Sequence, residues 1–263
     1  MRLAGAVSDI RLSFVIPARN EEALIAETLE AILASVARAS GVPRHELWLP
    51  DTSFEVIVAD DASEDATPVI VARFADDVGV RLVPCVGGTC AAARNAGAAA
   101  SFGRVLCFVD ADTIIPEKTV DRVLELHEVE GRCLVLYRLA SREPGIRAWL
   151  WWTFWGLARR LPLAKAKSMP ACMSCDRAHF ERYGPFTASW MIAEEWPLTR
   201  AAYRYHRERF LYDRTISART SSRRMELQPF GYLRTFLKWV LVVLFAEART
   251  NGYDSIRHET GQN

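Results

Sequence analysis

The chain has 263 residues, with 33 basic and 32 acidic side chains, a formal net charge of +1, half its residues apolar and a quarter charged. That length holds one large α/β domain with a short appendage, and it buries enough surface to fold without disulfides or a structural metal. The near-zero charge excludes a chain-wide nucleic-acid footprint, which needs a basic excess, although Arg and Lys outnumber acids between Arg200 and Lys238.

Leu12 to Ile16 is a short β-rich run ending at Pro17. Ala23 to Ala37 then carries Leu24, Ile25, Leu29, Ile32, Leu33 and Val36 at helical spacing, with acids near its start. Gly41 to Ser53 reads as a loop, Phe54 to Ala59 as a second strand, Thr67 to Ala75 as a helix and Val80 to Val83 as a third strand. The Ala-rich stretch Thr89 to Ser101 is predicted helical and leads into a fourth strand, Arg104 to Val109. Alternating strands and helices predict an α/β fold, a mostly parallel central sheet with helices on both faces.

In such sheets ligands bind beyond the carboxyl ends of the strands. The polar residues collect there: Asn20 and Glu21 after the first strand, Asp60 and Asp61 after the second, Asp110 and Asp112 after the fourth. Carboxylates converging on one rim repel unless a cation or a hydrogen-bonding ligand lies among them. The rim therefore predicts a cation-assisted polyphosphate or nucleotide site.

Of the six cysteines, Cys107 and Cys133 fall in or beside apolar strand patterns and read as buried thiols. Cys172-Met173-Ser174-Cys175 has the CxxC spacing of half a zinc site or a redox pair, but small core residues are the simpler reading. Leu3 to Val7 is too short for the apolar core of a signal peptide, so a reducing, cytoplasmic setting is expected. The five histidines lack ligand spacing; His179 and His206 read as helix residues.

The second half is less regular. Arg147 to Lys165 contains Trp149, Trp151, Trp152, Phe154 and Trp155, followed by Arg159 and Arg160. Such a stretch suits either an interfacial helix on a membrane surface or a helix packed beneath the acceptor side of the site. Phe236 to Ala246 is about half the length needed to span a bilayer. Peripheral membrane contact, on the inner face, is thus the expectation rather than a span. Domain boundaries are expected at 1–225 for the catalytic domain and 226–263 for an amphipathic helix with a polar tail.

These motifs, in this order, resemble the family 2 glycosyltransferases, which have the GT-A fold. The resemblance covers roughly residues 11–225. Val15 to Glu22 is similar to the family's opening strand and donor turn, Val58 to Thr67 to its second acidic turn, and Gly87 to Gly97 to the segment whose Arg and Asn face the nucleotide. Phe108 to Thr113 resembles the DXD motif, and Ala193 to Arg200 lies where the family carries an ED pair before a helix.

The resemblance implies roles. Pro17, Arg19, Asn20, Glu21, Asp60, Asp61, Arg94 and Asp110 would bind the donor, a nucleotide-diphosphate sugar with a UDP-sugar favoured. Arg94 would contact the nucleotide or hold Asp110 and Asp112. Asp112 would bind Mg²⁺ or Mn²⁺, with Asp110 on the metal or the ribose. Glu195, or its neighbour Glu194, would be the base of an inverting transfer, although Glu stands where the family has Asp and Pro197 replaces a commonly acidic position. Arg223 and Arg224 would close over the diphosphate or meet anionic lipid. The missing QxxRW motif implies transfer of a single sugar rather than processive synthesis. Separately, the composition of the Trp-rich helix and of the basic, apolar C-terminal segment suggests a lipid or lipid-linked acceptor. Two other readings share these residues: a catalytically silent GT-A-fold scaffold, and a nucleotidyltransferase, which normally opens with a Gly-rich loop that this chain lacks.

Overall fold

A computed structural model describes residues 10–86, 88–160, 170–187 and 194–223. The expected C-terminal helix, with Phe236 to Ala246, lies outside the described residues. The chain divides into two compact units, Met1–Ser221 and Ser222–Asn263. All the elements below belong to the first.

Strands β1 (Leu12–Ala18), β2 (Phe54–Asp61) and β4 (Val105–Val109) are buried along their whole length. Their near-continuous apolar sequences are what a parallel strand covered on both faces requires. β3 (Arg81–Cys85) alternates between exposed and half-buried residues, as an edge strand should. These four pair in parallel in the order β3-β2-β1-β4. The expected alternation therefore holds for the first half, with helices α1 (Ile25–Ser40), α2 (Thr67–Val78) and α3 (Cys90–Ala99) as crossovers.

The second half completes the sheet less uniformly. β7 (Cys172–Asp176) pairs antiparallel with β4, β6 (Leu134–Ser141) antiparallel with β7, and β8 (Phe210–Thr220) parallel with β6. A two-residue strand β5 (Thr113–Ile114) closes the edge antiparallel to β8. Helices α4 (Thr119–Leu124), α5 (Ile146–Ala158), α6 (Arg177–Tyr183) and α7 (Trp196–Tyr205) flank these strands in sequence.

Core packing explains the positions that matter for the site. α1 buries Ile25, Leu29, Ile32, Leu33 and Val36 against β1, β2 and β4. On the other face, α3 lies close to β1 because its contact residues are small. A Cβ on Gly97 would stand 2.5 Å from Val15 Cγ1. Ala91, Ala93 and Ala98 share that face, so the helix approaches near enough for its one long buried side chain, Arg94, to reach the sheet rim.

Candidate active site

The carboxyl ends of β1, β2 and β4 lie side by side, with Ala18 in register with Asp60. The turns after β1 and β2 are zipped to one another. The Asn20 amide donates to Ser63 Oγ (3.0 Å), and Asn20 Oδ1 accepts from the Glu64 amide (2.8 Å). The Glu21 amide donates to Thr67 Oγ1 (2.8 Å), while Glu22 exchanges bonds with Asp65 Oδ2 (3.0 Å) and the Ala66 amide (2.9 Å). Asn20 and Ala62 both hold positive φ, 54° and 53°, an uncommon conformation for non-glycine residues that turns at functional rims often use. The Asn20 side chain is thus engaged in shaping the turn, and the buried Glu21 lies directly behind it.

Asp60 and Asp61 divide their work. Asp61 Oδ1 accepts from the Gly88 amide (3.0 Å) and its Oδ2 lies 3.7 Å from Arg19 Nη1, so it anchors the loop before α3. Asp60 is 7% exposed; its Oδ2 accepts from the Ser63 amide (3.3 Å), whereas its buried Oδ1 has no hydrogen-bond partner. A buried carboxylate oxygen without a donor is costly unless a ligand supplies one. Pro17 is buried within β1, paired with Ala59.

Arg94 is the hub. It is 1% exposed, and its guanidinium makes ion-paired hydrogen bonds to Asp110 on one side and Glu194 on the other. Its carbon also sits 5.6 Å from the Phe186 ring centroid. Burial works against its charge, but Asp110 above all holds its pKa above the usual arginine value. Neighbouring Asn95 grips the Phe186 backbone from both sides, Nδ2 donating to its carbonyl and Oδ1 accepting from its amide, each at 2.9 Å. A surface helix arginine would do none of this. Arg94 joins the DXD segment to the Glu-Glu pair, and Asp110 rather than Asp112 is the aspartate it holds.

Asp112 is held from a different direction. Its Oδ1 accepts from Thr220 Oγ1 (3.1 Å) and lies 3.4 Å from Thr113 Oγ1. Its carbonyl accepts from the Ser221 amide (3.3 Å) and from Arg142 Nη1 (3.4 Å). Asp110 and Asp112 offer only hard oxygen donors, the set that suits Mg²⁺ or Mn²⁺. No cluster of three or more His, Cys, Asp or Glu is gathered among the described residues. Two carboxylates would therefore supply the protein's share, as is usual where substrate phosphates complete the shell.

Glu195 stands at the N-cap position of α7 but makes no side-chain capping bond, so it does not serve the helix dipole in that way. Its side chain is fully buried. Glu194 keeps 14% side-chain exposure beside Arg94. Arg159, just after α5, turns inward: it is 3% exposed, with its guanidinium 6.0 Å from the Tyr212 ring centroid. Burial pushes its pKa down to about 10, against the stabilising pull of Tyr212 and of Glu195. Read in sequence, Arg159 is a basic flank of the Trp-rich helix; in the structure it is buried over the Tyr212 ring. The helix itself buries Ala148 and Trp155 while Ile146, Trp149, Leu150, Phe154 and Leu157 are exposed. Arg223 belongs to the second unit, which begins at Ser222, and Arg224 lies outside the described residues.

Cys172 and Cys175 sit on opposite faces of β7, one in each of the two core clusters, so the CxxC spacing makes neither a chelate nor a dithiol. Burial raises both thiols well above the usual range. A chain of contacts runs from Asp176 Oδ1 to His127 Nδ1 (2.9 Å), from His127 Nε2 to Ser174 Oγ (2.7 Å), and on to the Tyr137 hydroxyl (2.8 Å). It has the order of a nucleophilic triad, but Ser174 lies mid-sheet between β4 and β6 with its hydroxyl taken up by His127 and Tyr137. The network pins β7 to the π-helical turn Glu125–Val129 that follows α4.

Known proteins resemble this chain in sequence and in fold. Residues 13–181 match the family model described as "Glycosyl transferase family 2". Validoxylamine A glucosyltransferase of Streptomyces hygroscopicus subsp. limoneus is 33% identical over 128 residues, which is 48% of this chain and 26% of that protein. The probable glycosyltransferase YdaM of Bacillus subtilis is 35% identical over 113 residues, 41% of this chain and 24% of that protein. The match thus spans about a quarter of these relatives. Among solved structures, glucosyl-3-phosphoglycerate synthase from Mycobacterium tuberculosis superposes with a TM-score of 0.59 at 21% identity, covering 89% of this chain and 79% of that one. A Pyrobaculum calidifontis mannosyltransferase in complex with GDP-Man and Mn²⁺ gives 0.58 at 21% identity, covering 82% and 58%. These likenesses establish the GT-A-type fold.

Proposed function

We propose that this chain, which belongs to glycosyl transferase family 2, moves a single sugar from a nucleotide-diphosphate donor to an acceptor hydroxyl with inversion. One observation carries the reading: the buried Arg94 guanidinium joins Asp110 to Glu194, so the DXD segment and the Glu-Glu pair form one site. The orphaned Asp60 oxygen supports a nucleoside that donates a hydrogen bond there. A UDP-sugar is the favoured donor; structural neighbours include proteins solved with UDP-GlcNAc and with GDP-Man.

Asp112, with Asp110, would hold Mg²⁺ or Mn²⁺, which neutralises charge on the departing diphosphate when bound. Arg94 fixes Asp110 and keeps Glu194 on the same rim. Glu195, buried at the start of α7 next to the paired Glu194, is the base that takes the acceptor proton. Glu194, already paired, positions.

The test is a thermal-shift screen of UDP-, GDP- and dTDP-sugars with and without Mn²⁺, followed by donor-hydrolysis assays. One donor should stabilise the protein in a metal-dependent way, and hydrolysis should vanish in Asp112→Asn. Glu195→Gln should lower kcat by about 10²- to 10⁴-fold with donor affinity unchanged. No response to any donor would favour the scaffold reading instead.

A further inference from the structure

Asp112 is anchored by Thr220 and Arg142, both far from it in sequence, and by its neighbour Thr113. The hydroxyls of Thr220 and Thr113 both approach the same carboxylate oxygen, Oδ1, at 3.1 and 3.4 Å. Thr113 and Thr220 are register partners in the β5–β8 ladder, and both are buried. The backbone is fixed by the same strand end: the Ser221 amide donates to the Asp112 carbonyl, and the Arg142 amide donates to the Thr220 carbonyl (3.0 Å). Arg142 then reaches across, Nη1 to the Asp112 carbonyl (3.4 Å) and Nη2 to Glu27 Oε2 of α1 (2.6 Å).

An aspartate's terminal torsion is broad and two-fold, so an unanchored carboxylate swings between equivalent orientations. A hydroxyl on one oxygen removes that freedom and decides which oxygen faces away from the anchor. Groups that orient a metal-binding side chain this way are worth about 10- to 100-fold in metal affinity.

We propose that Thr220 is a positioning residue that presets the Asp112 carboxylate for a divalent cation. This rests on the reading of Asp112 as a metal-binding residue. The clasp also places β8 in the construction of the donor site, although no motif marks it. Thr113 contributes less, because its hydroxyl is at the limit of hydrogen-bond distance.

The experiment is a Mn²⁺ titration followed by EPR, on the full chain, without nucleotide and with UDP, comparing wild type with Thr220→Val, Thr220→Ser and Asp112→Asn. Valine keeps the β-branched shape and removes the hydroxyl; serine keeps the hydroxyl. Expected is loss of binding in Asp112→Asn, about 10-fold weaker Mn²⁺ in Thr220→Val, and near-wild-type affinity in Thr220→Ser, with thermal melts of all four within a few degrees. If Asp112→Asn loses Mn²⁺ while Thr220→Val binds as wild type, the anchor idea is overturned and the metal reading stands. Equal weakening in valine and serine variants would make the effect one of packing and overturn it too. Mn²⁺ binding untouched in Asp112→Asn, or absent from wild type under both conditions, would remove the metal reading and this inference with it.

Discussion

Asp60 carries two kinds of information in one carboxylate. Oδ2 serves the turn through the Ser63 amide, while Oδ1 is buried without a protein partner. The two functions can be separated by substitution. Asp60→Asn keeps an oxygen for Ser63 but removes the charge that a donor's hydroxyl or imide would meet. Nucleotide affinity measured by calorimetry should fall about 10- to 100-fold, the range of a hydrogen bond to a charged group, with little change in melting temperature. Arg159 is the opposite case, a charge whose purpose is hidden from sequence. It follows Trp-rich, helical residues and looks like a solvated flank, yet it is buried over the Tyr212 ring. Nothing local marks that turn inward; it depends on Tyr212, which comes from β8.

At the level of elements, the parallel half of the sheet was legible almost strand by strand. Buried parallel strands are apolar throughout, and the crossover helices show their period over many residues. The observed bounds of β1, β2 and β4 extend or trim the expected ones by one or two residues. The antiparallel half was not legible, because β6, β7 and β8 take their order from pairing between distant segments that no local pattern encodes. The packing of α6 on α7 makes a further prediction. His179 is buried, its Nε2 donating to the Leu198 carbonyl at 3.0 Å, with Tyr183, His206, Asp176 and Arg209 around it. Burial lowers its pKa below the ordinary 6.5. Above that pH the imidazole is neutral whether folded or unfolded. Below it the unfolded chain takes the proton first, so stability falls with pH until the folded-state pKa is reached. His179→Gln should flatten the pH dependence of urea unfolding in that window, and an unchanged slope would rule the contact out as its source.

For the molecule as a whole, function classes were legible and surfaces were not. The acidic rim pointed to its chemistry because parallel topology brings strand ends together whatever the side-chain detail. The acceptor side has no such rule. No helix among the described residues is long and apolar enough to cross a membrane. α5 nonetheless leaves Ile146, Trp149, Leu150, Phe154 and Leu157 exposed along one stripe, with Arg147 and Arg160 exposed at its ends. We propose that this stripe meets a membrane carrying a lipid-linked acceptor. Flotation with anionic vesicles should then drop several-fold in Trp149→Ser/Phe154→Ser, while hydrolysis of the soluble donor persists. Equal flotation of variant and wild type would refute contact through α5.

The pairing of Arg94 with both Asp110 and Glu194 also constrains how the chain can be cut or synthesised. The family-matched segment ends at residue 181, so it contains Arg94 and Asp110 but not Glu194. A fragment trimmed to that boundary would enclose a guanidinium with only part of its counter-charge, a costly state for a buried ion. On the ribosome the same shortfall lasts until residue 194 has emerged. The early parallel strands would be made well before Glu194 can complete the ion pairing of the rim they support.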